Sequence, residues 1–226
     1  MFVDFHSPEP VLECVVRSAP AIQLAGPRTA VASRRKRLLD LTVAGLALIL
    51  FLPLLLLIAA AIRAQGPGPV LFRQQRTGLH GRPFWIFKFR TMRPEPEAPE
   101  LRQASRHDAR VTHVGRVLRK LSLDELPQLL NVLRGEMSLV GPRPHALCHD
   151  DRWGPLVPGY AERFRVRPGL TGLAQVRGWR GEVHDDDAIR RRVACDNEYV
   201  EAWTFWGDLK LLVRTLPLVL SDPRAY

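Results

Sequence analysis

The sequence predicts an α+β, mainly helical protein in which a re-entrant N-terminal membrane helix hairpin precedes a cytoplasmic domain with a short β-hairpin and amphipathic interfacial helices. Three observations predict it. Residues 41–62 hold no charged side chain. Two β-prone runs, 70–74 and 84–89, flank a turn rich in Gly and Pro. Apolar residues recur at helical spacing through 114–120 and 126–134, as in Leu126, Leu129, Leu130 and Leu133. The boundaries that follow are a weakly structured tail at 1–33, an anchor at 34–65 and the cytoplasmic domain at 66–226.

The tail shows no sustained period and holds several prolines. It makes a poor secretory signal, because Asp4, Glu9 and Glu13 precede the apolar run and no small-residue cleavage pattern follows it. In the anchor, about 20 apolar residues rising about 1.5 Å each cover a hydrocarbon core of about 30 Å, so length permits a spanning helix. Two features favour re-entry instead. Arg34, Arg35, Lys36 and Arg37 crowd one flank while Arg63, Arg73 and Arg76 follow the other, so both flanks claim the cytoplasmic side. Pro53, near the middle, removes a backbone donor and clashes with the carbonyl four residues earlier. A helix-break-helix that enters and leaves by one leaflet satisfies both features; a single bitopic span and a buried core helix are the alternatives.

Gly66-Pro67-Gly68-Pro69 closes the anchor, and Thr77-Gly78-Leu79-His80-Gly81-Arg82-Pro83 reads as the hairpin turn. A Pro/Glu-rich loop occupies 94–105, and two rigid Gly/Pro loops fall at 140–144 and 167–172. The stretch 195–220 carries Tyr199, Trp203, Phe205 and Trp206 ahead of a Leu/Val run with Lys210 and Arg214, a pattern that suits a bilayer interface or a packed helix.

At 226 residues, 46% hydrophobic and 25% charged, the chain can bury one core, which excludes wholesale disorder, a collagen-like chain and a polytopic transporter. Lys plus Arg number 33 against 23 Asp plus Glu, a net charge of +10 that favours an anionic partner: nucleic acid, an anionic membrane surface or a phosphate-bearing substrate. Cys14, Cys148 and Cys195 are too scattered for a disulfide framework or a metal cluster, which fits a reducing compartment.

The stretch from Arg119 to Gln128 is the most informative. Asp124 and Glu125 stand together beside dense positive charge. The ordinary structural explanation is helix capping, since Ser122 and Glu125 match an S-x-x-E box. Pro127 argues against that register, because with Ser122 as cap it would fall inside the helix, where an N–H is needed. A helix starting at Asp124 places Pro127 in the first turn and both acids at the positive helix end, which also favours phosphate. Beside phosphates, one carboxylate can attack phosphorus and a second can hold a hard divalent cation. Cationic side chains would bind the non-bridging oxygens, and Lys88, Arg90, Arg119 and Arg143 are the candidates. Lys88 and Arg90 also read as outward-facing strand charges. Arg143 is bracketed by Pro142 and Pro144, which restrict its backbone.

These residues, with five further segments in this order, identify a resemblance to the bacterial monotopic phosphoglycosyl transferases, the sugar transferases that initiate exopolysaccharide and O-antigen synthesis. The segments are the basic, proline-broken anchor, Gly68-Pro69-Val70-Leu71-Phe72-Arg73-Gln74, Phe87-Lys88-Phe89-Arg90-Thr91-Met92, Met137-Ser138-Leu139-Val140-Gly141-Pro142-Arg143-Pro144, and Arg167-Pro168-Gly169-Leu170-Thr171-Gly172 followed by Gln175-Val176. The resemblance implies that Asp124 attacks the β-phosphorus of a UDP-sugar, expels UMP and carries the phosphosugar until undecaprenyl phosphate attacks it. It implies that Glu125 holds Mg²⁺ and that Lys88, Arg119 and Arg143, with Arg167 and Gln175, bind substrate. It also implies the bacterial inner membrane as location, with the catalytic domain on the cytoplasmic side.

The chain departs from the family pattern at Leu121, where Thr is common, at Leu173, where Trp is frequent, and at Arg177, where Asn is frequent. The sugar is therefore open, although Gly178-Trp179-Arg180-Gly181-Glu182 and the stretch 203–212 resemble the hexose-transferring branch, with UDP-galactose or UDP-glucose as donor. The short leading tail resembles the compact, exopolysaccharide-type form. The rival reading is a membrane-tethered basic protein that grips nucleic acid or anionic lipid without chemistry. It is ranked below the enzyme, because the sequence has no zinc spacing, clear helix-turn-helix or RNP-like motif, and so no nucleic acid is expected. A homo-oligomer stays open.

Overall fold

The computed structural model describes residues 29–93, 108–179, 181 and 186–221. The tail up to residue 28, the Pro/Glu-rich loop and the Arg180–Glu182 part of the hexose-branch segment, apart from Gly181, lie outside the described residues. The described end of the tail forms a short helix, α1 (Thr29–Ala32), which buries Ala30 in the main core.

Helix α2 (Arg34–Ala64) opens on Ser33, whose hydroxyl accepts from the Lys36 N–H at 3.2 Å. The expected break at Pro53 is corrected here, because Pro53 lies inside one uninterrupted helical element. The proline leaves one carbonyl, that of Ile49, without its helical donor, a smaller loss than the whole turn of partners that dividing the segment would strip. On either side of the proline, α2 lays a stripe on the domain. Ala44, Ala47 and Leu48 join the main core, and Leu54, Leu55, Ile58 and Ile62 pack with Phe89 and Leu118. Between these stripes residues 49–53 are exposed on every side, and Leu46, Leu56 and Leu57 add to the bare apolar surface. The helix is long and apolar enough to cross a membrane.

Gly66 and Gly68, at φ +136° and +109°, turn the chain out of α2. Strands β1 (Leu71–Thr77) and β2 (Pro83–Phe89) then form the expected antiparallel hairpin, from Leu71 opposite Phe89 to Thr77 opposite Pro83. Alternation along β2 buries Phe84 and Ile86 and exposes Trp85. Helix α3 (His113–Lys120) is capped by Thr112, whose hydroxyl accepts from the Gly115 N–H at 2.9 Å. A 3₁₀ turn at Leu123–Glu125 leads into α4 (Gln128–Arg134), which Gly135 ends at φ +80°. Asn131 ties α4 to β2: its amide donates to the Trp85 carbonyl at 2.7 Å and its oxygen accepts from the Phe87 N–H at 3.1 Å.

A short strand pair joins the two Gly/Pro loops, taking Val140 from the first and residues 169–171 from the second, while residues 141–144 remain a loop. Strands β3 (Ser138–Val140) and β4 (Gly169–Thr171) run parallel, and the Gly141 N–H donates to the Thr171 carbonyl at 2.9 Å. A Cβ at Gly169 would run into the Gly141 backbone, so this close approach requires glycine. Helix α5 (Leu147–Trp153) and a 3₁₀ segment (Tyr160–Arg165) lie between the two strands in the chain, α6 (Leu173–Val176) follows β4, and α2 and α4 pack against β3. Helices α7 (Asp186–Glu201) and α8 (Phe205–Ser221) finish the described chain. One face of α8 buries Asp208 and Leu211, while Trp206, Val213 and Leu216 stay exposed near Lys210 and Arg214, the amphipathic pattern expected.

Two of the four basic residues that open the anchor turn inward. Lys36 donates to Asp208 at 2.6 Å and to the Val140 carbonyl at 3.0 Å. Arg37 donates to the Val132 and Leu133 carbonyls at 2.7 and 2.9 Å, closing the C-terminal end of α4. Only Arg34 and Arg35 of the cluster remain exposed as free flank charges.

Candidate active site

Three elements deliver the acids and their cations to one place. The 3₁₀ turn carries Asp124 and Glu125, and it is set by Ser122 at φ +56°, whose side chain does not cap it. The capping box is thus absent, and the acids precede α4 rather than begin it. Pro127 sits at the N-cap of α4, where its missing N–H costs nothing. Lys88 comes from β2, which Asn131 of α4 holds against the turn. Arg143 comes from the loop that leaves β3.

Glu125 is the hub. Its Oε1 accepts from Lys88 Nζ at 2.9 Å, its Oε2 accepts from Arg143 Nη1 at 3.1 Å, and Arg143 Nη2 adds a very short contact to Oε1. The guanidinium therefore grips the carboxylate with both prongs of its fork. Burial alone would raise the Glu125 pKa, but Arg143 and then Lys88, by charge and by hydrogen bond, hold it well below the usual carboxylate range. Asp124 behaves in the opposite way. Burial lifts its pKa to about 6; Lys88 resists, the Glu125 charge adds to the lift, and Arg119 and Arg143 resist further. Neighbouring acids pushed apart in this way can take separate duties: Glu125 stays ionised among cations, and Asp124 is the more basic of the two carboxyls.

The structure brings Asp124, Glu125, Lys88, Arg119 and Arg143 together, and it takes three other candidates elsewhere. Arg90 donates to the carbonyls of Pro67 at 2.8 Å, Ile62 at 3.2 Å and Gly66 at 3.3 Å, so its guanidinium closes the end of the anchor helix. Arg167 Nε donates to the Gly135 carbonyl at 2.8 Å, at the far end of α4. Gln175 is buried beneath β4, where its amide donates to the Leu170 carbonyl at 3.0 Å. None of the three contacts the acid pair.

Residues that sequence reasoning missed lie behind Arg143. Arg163 donates to the Arg143 carbonyl at 2.5 Å and pairs with Asp196 at 2.8 Å, fixing the loop from below. Tyr160 donates to Asp150 at 2.5 Å, as does Thr77, and Tyr160 Oη lies 2.7 Å from His145 Nδ1. Arg76 stands beside Arg143 on the hairpin side. Nothing in spacing marks these residues as a group, since they converge from β1, α5, the second 3₁₀ segment and α7; the sequence marks Arg76 only as a basic residue following the anchor.

Known proteins resemble this chain over most of its length. The family model for bacterial sugar transferases matches residues 31–222. A UDP-glucose:undecaprenyl-phosphate glucose-1-phosphate transferase of Caulobacter vibrioides is 56% identical over 200 residues, covering 88% of this chain and 74% of the relative. An undecaprenyl-phosphate glucose phosphotransferase of Komagataeibacter xylinus is 49% identical, covering 84% of this chain but only 37% of its own length. The exopolysaccharide production protein ExoY of Rhizobium meliloti is 42% identical, covering 84% of this chain and 88% of the relative.

Proposed function

We propose that this chain, which belongs to the bacterial sugar transferase family, moves a hexose 1-phosphate from a UDP-sugar to undecaprenyl phosphate and releases UMP. One observation carries the reading: a half-buried carboxyl with its pKa lifted to about 6, Asp124, sits next to Glu125, a carboxylate clamped by Lys88 and Arg143. The donor we propose is UDP-glucose, on the names of the relatives above, with UDP-galactose the next to test. The reaction would be the first membrane step of exopolysaccharide or O-antigen synthesis.

In the first half-reaction an Asp124 oxygen attacks the β-phosphorus. The bond from that phosphorus to the bridging oxygen breaks, and its electron pair leaves with UMP. In the second, an oxygen of the lipid phosphate attacks the same phosphorus, the bond to Asp124 breaks, and the carboxylate is restored. Lys88, Arg119 and Arg143 bind non-bridging oxygens and spread the charge that develops.

Mg²⁺ fits this donor set with help from substrate. Among the described residues no group of three His, Cys, Asp or Glu side chains could hold a metal. Magnesium is often held by one or two carboxylates together with substrate phosphates and water, and Glu125 can supply such a carboxylate. When bound, the ion would neutralise the diphosphate under attack. Because Lys88 and Arg143 already occupy both Glu125 oxygens, they would yield that carboxylate and turn to phosphate.

For the anchor we propose re-entry into the inner membrane from the cytoplasmic face. Both stripes of α2 rest on one domain with residues 49–53 bare between them, so a bend at Pro53 would dip that stretch into a single leaflet. An enzyme seated there meets a lipid head and a soluble nucleotide together. Cysteines placed at Arg35 and Gln65 should both be labelled from the cytoplasmic side; labelling from opposite sides would overturn re-entry.

The reaction is tested by giving the purified protein labelled UDP-glucose and Mg²⁺ without lipid. The expected result is a labelled protein adduct together with stoichiometric UMP, discharged when undecaprenyl phosphate is added. An active preparation that forms no adduct would overturn the two-step route, and binding without any turnover would favour the non-catalytic reading.

A further inference from the structure

Arg76 is the last residue but one of β1, and its backbone bridges to Ala146, just past the Gly141-Pro142-Arg143-Pro144 loop. Its guanidinium is poorly neutralised. Nη2 donates to the uncharged Gln74 Oε1 at 2.6 Å, Nη1 reaches the Pro144 carbonyl at a long 3.4 Å, and Nε is buried with no partner among the described residues. Burial, and then the positive charge of Arg143, push its pKa down to about 10, while Asp150 and Glu125 pull it back.

The carboxylates within reach are already engaged. Glu125 accepts from Lys88 and Arg143, and Asp150 accepts from Thr77 and Tyr160. Arg76 reaches the carbonyl of Pro144, the residue after Arg143, so the hairpin brings a second guanidinium charge to the Arg143 loop, which a role limited to holding the hairpin would not need. Two like charges side by side, one with a buried donor unpaired, raise the energy of the site until an anion arrives and bridges them.

We propose that Arg76 binds a phosphate group together with Arg143, the two guanidiniums sharing the non-bridging oxygens of one phosphate. The inference rests on the transferase reading and adds a residue to its substrate site. The chemistry recognised is a phosphate dianion or diphosphate, which a nucleotide and a lipid headgroup both present.

The test uses the full chain in detergent. Affinities for UMP and for inorganic pyrophosphate are measured by titration calorimetry in wild type, Arg76→Gln and Arg76→Lys, with KM values for UDP-sugar and for undecaprenyl phosphate alongside. Arg76→Gln should weaken UMP binding and raise KM for the UDP-sugar at least tenfold, with Arg76→Lys intermediate and the melting temperature of the lysine variant close to wild type. A rise confined to KM for undecaprenyl phosphate would assign the phosphate to the lipid headgroup. Affinities and both KM values within twofold of wild type would overturn the proposal, as would a wild-type protein that binds neither probe. Loss of pyrophosphate binding in Arg76→Gln, in a protein that never turns over a UDP-sugar, would leave the anion site standing and remove only the transferase reading.

Discussion

Asp124→Asn should abolish both the covalent adduct and turnover, lowering the rate by about 10³-fold or more, and should at the same time make the fold more stable. The first effect follows from chemistry: an amide oxygen in this position cannot form the ester to phosphorus. The second follows from the pKa. An acid raised to about 6 by folding is ionised at a cost whenever the pH exceeds that value. The lift from the ordinary aspartate range corresponds to about 3 kcal/mol at most, less for a side chain that keeps some solvent contact. The sign is fixed by direction: the penalty is absent below the unfolded pKa, grows as the pH rises between the two values, and is full above about 6. Denaturation at pH 8 should therefore show Asp124→Asn more stable than wild type, and the gap should close near pH 4. The same titration predicts that adduct formation in wild type falls away below about pH 6 along a one-proton limb, because only the carboxylate attacks. A variant that keeps turnover removes Asp124 as the nucleophile, and one less stable than wild type at pH 8 removes the account of its burial.

The acid pair was legible because it is local: two adjacent carboxylates, a proline at a telling offset and flanking basic residues lie within ten positions. The hairpin was legible for the same reason, through alternation and a turn of suitable composition. The exact register of the acids was not. Pro127 excludes a helix capped by Ser122, yet it cannot distinguish a helix begun at Asp124 from the 3₁₀ turn observed, which depends on Ser122 adopting a positive φ that few residues other than glycine favour. Nor was the pairing of β3 with β4, because three-residue strands leave no period to read and their contact is 31 residues away in sequence, from Ser138 to Gly169. Basic residues were the hardest to sort. Arg90, Lys88 and Arg143 look alike as charges, but one closes a helix end while the others hold Glu125, and that difference is set by partners that only the folded chain brings near.

Lys36 is the sharpest case of such a partner, and Lys36→Met should cost about 3–5 kcal/mol of stability. The ammonium is buried and bonds Asp208 at 2.6 Å, the Val140 carbonyl at 3.0 Å and the Tyr199 hydroxyl at 3.2 Å. Asp208 itself is fully enclosed and also accepts from Tyr199 at 2.9 Å and Trp203 at 3.0 Å. Those neutral donors cannot replace the counter-charge, so truncating the lysine leaves a buried carboxyl group without its partner. A loss of that size is a large share of the 5–15 kcal/mol that a domain usually has, and it should appear as a much shorter half-life on heating. Removing both charges in Lys36→Met/Asp208→Leu should recover most of the loss, because an apolar pair leaves no charge stranded. A single variant within 1 kcal/mol of wild type, or a double variant no better than the single, would sink this account. The consequence reaches the chemistry. Val140 is the last residue of β3, and the chain runs from it through Gly141 and Pro142 to Arg143, so the base of the anchor helix holds the carbonyl from which the clamp on Glu125 is hung. Adduct formation by Lys36→Met, assayed at a temperature where it remains folded, should fall although Lys36 touches neither acid, and the double variant should regain stability more fully than rate, since leucine and methionine restore packing but leave the Val140 carbonyl without its ammonium donor.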